Sequence, residues 1–62
     1  MNRNTLLIRA ADMLEEDAQC LEESHTTSEG VWDLSDPLDV NAKADCDERR
    51  AVAAALRLLV DQ

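Results

Sequence analysis

Two thiols, one imidazole and one indole are the side chains here that could do chemistry: Cys20, Cys46, His25 and Trp32, set among 14 Asp and Glu residues. Cys20, Cys46, His25 and nearby carboxylates supply the donor atoms of a zinc site, but the paired Cys-x-x-Cys or His-x-x-x-His spacing is absent. On a helix, Cys20 and His25 point roughly 140° away from each other. As a general base, His25 has no nucleophile with an orienting partner, because Ser24, Thr26 and Ser28 are only neighbours in sequence. The reading is therefore of two small buried thiols and a histidine at a helix end, with no catalytic residue, no metal site and no cofactor. Should Cys20 and Cys46 approach within the Cα separation of about 4.4–6.8 Å that a disulfide requires, oxidation would link them.

Trp32 is the single aromatic residue. It either caps the core with its ring or, with His25, Thr26 and Thr27, forms a corner on which a base could stack. Phosphates need cations, and the surrounding loop offers Glu29, Asp33 and Asp36 instead.

These groups are positioned by two amphipathic elements. The first seam runs Leu7, Ala11, Leu14, Ala18, Leu21, His25, and the second runs Leu38, Ala42, Cys46, Arg49, Ala53, Leu56, Val60. Helix 1 is expected over about 4–25, capped by Asn4 or Thr5. A loop spans about 26–36, and helix 2 covers about 37–61, opened by an Asp36 cap with Pro37 at its first position. Thr26 to Gly30 are turn formers, and Val31, Trp32 and Leu34 form a run too short for a strand. The fold class is all-α: one domain over 1–62, an antiparallel two-helix hairpin. Its bend near Val31 brings Cys20 towards Cys46, and Ala11 and Leu14 towards Ala53 and Leu56. Arg49 interrupts the second seam, so its guanidinium must reach solvent or a facing carboxylate such as Asp17.

A chain of 62 residues has little core. Ordering it costs about 90 kcal/mol at roughly 1.5 kcal/mol per residue. Offsetting that takes about 3,700 Å² of apolar burial, close to what a compact chain of this mass hides. The balance is near zero. Ala51 to Val60 carries one charge, Arg57, so a single apolar stripe cannot cover it. A homodimer is expected, packed as a four-helix bundle through Leu7, Ala11, Leu14, Ala18, Leu21, Val52, Leu56, Leu59 and Val60.

Six Lys and Arg against 14 Asp and Glu give a net charge of −8. That charge repels phosphate backbones and anionic membranes, so direct nucleic-acid binding is disfavoured and basic protein surfaces are the natural partners. No apolar run is long enough for a signal peptide or a membrane span, and the expected location is the cytoplasm.

Ser24-His25-Thr26, Gly30-x-Trp32 and Ala42-Lys43-Ala44-Asp45-Cys46-Asp47-Glu48 together resemble a group of small bacteriophage and prophage proteins that has no assigned activity. The resemblance covers nearly the whole chain, and members of the group commonly carry an aromatic residue where Cys46 stands. It implies a phage accessory protein in the bacterial cytoplasm, with a binding role rather than an enzymatic one. The leading expectation is an interaction protein that blocks a basic surface of a host protein, using Asp12, Glu15, Glu16, Glu22 and Glu23 for attraction and Trp32 as an anchor. Two other readings are a nucleotide or signalling-metabolite binder at His25, Thr26 and Trp32, and a structural subunit of a larger assembly.

Overall fold

Helix α1 spans Arg3–His25 and helix α2 spans Pro37–Leu58 in a computed structural model that describes residues 1–61. They form an antiparallel hairpin with a single isolated bridge, Thr26 to Trp32, and no strand among the described residues. The molecule is all-α, as its two periodic segments lead one to expect.

α1 begins earlier than expected. Asn2, not Asn4 or Thr5, is its cap, accepting from the Thr5 amide at 2.8 Å. Asn4 is thereby free to reach across the open end, where its amide nitrogen donates to Asp61 Oδ1 at 2.7 Å and its carbonyl oxygen accepts from the Asp61 amide at 3.1 Å. Arg3 adds a bond to the Leu59 carbonyl, one of the acceptors that a helix C-terminus leaves unused. α2 starts as expected, with the Asp36 carboxylate accepting from the Leu38 amide and Pro37 in the first turn. It ends at Leu58 rather than near Asp61 because the backbone tightens: Leu59 donates to Leu56, Val60 donates to Arg57, and Asp61 adopts a φ of 67°.

The fully buried residues are all small: Ala11, Ala18, Ala42, Cys46 and Ala53. Side chains of this size let two helix backbones approach closely. Cys46 shows how closely, since its Sγ lies 3.3 Å from the Ala18 carbonyl on the facing helix. Ala18 opposite Cys46, His25 opposite Asp39 and Asn4 opposite Asp61 are together the register that a bend near Val31 implies.

One seam position differs. Leu38 is 71% exposed, and Asp39 takes the place next to His25, because the strict repeat in α2 is Asp39, Cys46, Ala53, Val60 interleaved with Ala42, Arg49, Leu56. Val52 and Leu59 fall one step outside it and sit on its flank, partly exposed. Leu7, Leu14 and Leu21 flank the α1 seam and are half-buried.

The rod measures 42 × 16 × 15 Å with a radius of gyration of 13.7 Å, against about 11 Å for a compact chain of this length. Its accessible surface is 4430 Å², above the roughly 4,000 Å² typical of its mass. Large apolar side chains contribute to it: Leu6, Met13, Leu38 and Leu58 are each more than half exposed.

Enlarging the seam forces the helices apart. Ala18→Leu should cost about 2 kcal/mol through overpacking, lowering Tm by roughly 10 °C at fixed protein concentration. The exposed Ala51→Leu on the outer face of α2 should stay within about 0.5 kcal/mol of the parent. Equal thermal melts for the two variants, followed by circular dichroism, would contradict the close-packed seam.

Candidate functional site

At the bend, three parts of the chain meet around one carboxylate. His25 is the last residue of α1 and Asp39 lies in the first turn of α2, so the hairpin bend brings the two side chains together. His25 Nδ1 is 2.9 Å from Asp39 Oδ1, and Asp39 Oδ2 accepts from the Asp33 amide at 3.3 Å. Trp32 lies nearly parallel to the imidazole, at 10° with ring centroids 6.4 Å apart, and is half-buried. The turn beneath is closed by the Gly30 amide donating to Thr27 O, with Gly30 at φ 78°, where its missing Cβ removes the strain. The Thr26 hydroxyl donates to the Glu22 carbonyl at 2.6 Å. Ser35 donates both its amide and its hydroxyl to the Asp33 carboxylate, which holds that carboxyl below its ordinary pKa. The polar atoms of His25 and Thr26 that a ligand would need are thus already engaged within the fold.

One flank of the hairpin carries ion pairs across the helices. Arg57 meets Asp12 and Glu15, and Arg50 meets Glu22. Hydrogen bonds donated to these carboxylates hold both guanidinium groups above their ordinary pKa. All five side chains remain more than 30% exposed, so each pair contributes roughly 0.2–1 kcal/mol and acts chiefly on register. Three of the five acidic residues expected to face a partner are therefore also bound to their own chain. Glu16 and Glu23 stay exposed and free of cations, with Glu23 accepting only from Gln19.

The opposite flank is a shallow groove. One part is lined by Asp17, Cys20, Leu21, Ser24, His25 and Arg49, and the adjoining part by Leu14, Asp17, Asp45, Glu48, Arg49 and Val52. Arg49 does not pair with Asp17. Its Nη1 donates to the Asp45 carbonyl of its own helix at 3.2 Å, and no carboxylate among the described residues is its ion-pair partner.

Cys20 and Cys46 are separated: Cys46 is buried in the seam as expected, whereas Cys20, expected to be buried too, is exposed. Two residues beyond Ala18, Cys20 is rotated about 200° from the seam, so the register that brings its residue number opposite Cys46 turns its side chain outward. Among the described residues no three His, Cys, Asp or Glu side chains gather as a metal site would require, and no helix is long and apolar enough to cross a membrane.

The sequence reading missed Asp39, Arg50 and Arg57. Their signal was present: Lys43, Arg50 and Arg57 recur every seven residues, as do Ile8, Glu15 and Glu22 on α1. Both sets stand one step from the seam on the same side of an antiparallel pair. No protein-family model, curated protein or solved structure matches the chain.

A thiol reagent added to the folded protein should titrate one cysteine per chain, Cys20, with Cys46 reacting only after denaturation. Two equally reactive thiols, or an intramolecular disulfide formed under mild oxidation, would contradict the seam.

Proposed function

We propose that this chain is an acidic interaction protein that works as a dimer of hairpins and binds, and so blocks, a basic surface on another protein in the bacterial cytoplasm. The observation that carries this reading is where the charge goes. Lys43, Arg50 and Arg57 are spent on carboxylates of the same chain, so the excess of acid over base is displayed on the outside rather than neutralised within. Glu16 and Glu23 stand on the outward face of α1, seven residues apart and therefore stacked two turns from each other. Asp12, Glu15 and Glu22 line the edge of that face. Such a stripe raises the encounter rate with a cationic surface and repels nucleic acid and anionic lipid. Trp32, stacked on His25 and half-buried, stands as an apolar contact at one end.

The phage-type resemblance favours a host protein as the target. The loop-ligand reading has less support, because the His25 and Thr26 polar atoms serve the fold.

The double reversal Glu16→Lys with Glu23→Lys touches no ion pair and should leave the helical content unchanged. Immobilised on beads and exposed to a bacterial lysate, the parent should retain a partner that elutes when salt rises from about 0.1 to 0.5 M, where screening shortens to a few ångströms. The double variant should retain at least tenfold less. Retention that ignores both salt and charge reversal would sink the electrostatic reading.

A further inference from the structure

Opposite the ion-paired flank, the hairpin presents a side of different chemistry. Leu7, Leu14 and Leu21 descend α1 at heptad spacing, half-buried, and Val52, Leu56 and Leu59 stand beside them on α2. Next to Leu7 and Leu14 come Leu6 and Met13, 55% and 54% exposed. The residues buried in the seam are alanines and one cysteine, whereas these large apolar groups remain in contact with water. Charge is sparse and central: Asp17, Asp45, Glu48 and Arg49 form a belt near mid-length with leucines towards both ends.

We propose that this flank is a two-fold interface with a second copy of the chain, in which each Arg49 pairs with a carboxylate of the other copy's Asp17–Asp45 belt. The inference rests on the reading of the chain as a dimer and adds which face is used and what fixes its register. Three observations select a second copy as the occupant. A flank as long and wide as the whole rod, 42 by 16 Å, offers at most about 670 Å², so two copies pairing along their full length bury up to roughly 1,300 Å² together, within the range of stable specific interfaces. At −8 per chain, two copies repel through every acidic face, and this flank is the one where large apolar groups dominate. The belt carries both signs at mid-length, so a two-fold axis through it sets the cation of one chain beside carboxylates of the other, an arrangement that is its own complement. Arg49 fits that role because its own chain gives it only a backbone carbonyl.

The dimer leaves Asp12, Glu15, Glu16, Glu22 and Glu23 of both chains facing outward on opposite sides, while the apolar flanks are buried between them.

Light scattering and sedimentation of the full chain decide the matter. The parent should show twice its 6.9 kDa mass at about 100 µM. Val52→Glu, at a side chain outside the seam, should weaken association at least thirtyfold with helical content retained. Arg49→Glu should weaken it at least tenfold, whereas Arg9→Glu, an equal charge change on the far side of α1, should leave it unchanged. A monomeric parent overturns the dimer reading itself, and a mass well above two chains overturns the closed two-fold. A dimeric parent unaffected by Val52→Glu and Arg49→Glu overturns this face alone.

Discussion

Alanine at positions 11, 18, 42 and 53, with cysteine at 46, brings two helix backbones close enough for Cys46 Sγ to touch the Ala18 carbonyl, and the remaining structure follows from that proximity. Small seam residues bury little area each; at about 25 cal/mol per Å² they stabilise a hairpin far less than leucines would. What they supply is shape. Because the backbones are near one another, flanking side chains of ordinary length can span the pair, and Arg57 reaches Asp12 and Glu15 while Arg50 reaches Glu22. The same proximity leaves no room inside for Leu, Val or Met, which must lie on the flanks.

Both ends of the rod are tied by polar groups rather than by apolar plugs. At the open end, Asn4 exchanges two hydrogen bonds with Asp61, and Arg3 takes up a terminal carbonyl of the other helix. At the bend, Asp39 collects His25 and the Asp33 amide while Trp32 shields the imidazole. These contacts resist sliding of one helix along the other, which a seam of near-identical alanines would otherwise permit. Register in this hairpin is therefore set at its ends and along its charged flank, and close approach is set in its middle.

Much of this could be read from residue order, and the omissions share a cause. The alanine and leucine periodicity located both helices, and Asp36-Pro37 located the start of α2. Asn2, Asn4 and Thr5 can each cap a helix as far as sequence goes, and only the use of Asn4 across the hairpin, towards Asp61, leaves Asn2 as the cap and starts α1 one residue earlier than expected. Hydropathy alone points to Leu38 as the seam residue, yet the Asp39 carboxylate stands beside His25 at the helix junction. Charge alone offers all five acids of α1 to a partner, whereas Asp12, Glu15 and Glu22 find arginines in their own chain. Pairing of that kind depends on which sides of two helices coincide, and heptad spacing shows it only once the helices are taken as antiparallel.

The two flanks then divide the work that one short chain must do. A hairpin of 62 residues with a surface of 4430 Å² has spent its charge complementarity on one side and left a row of leucines with Met13 and Val52 on the other. Folding alone leaves those groups partly in contact with water, so covering them would add hydrophobic stabilisation that the single hairpin lacks. Burying them between two copies would couple folding to concentration, since anything that binds the folded state and not the unfolded one adds to its stability. It would also set the two acidic faces of α1 at opposite sides of one particle, each free to meet a cationic surface. On that view the aliphatic flank and the acidic flank are parts of one device: the first makes the rod persist, and the second gives it something to bind.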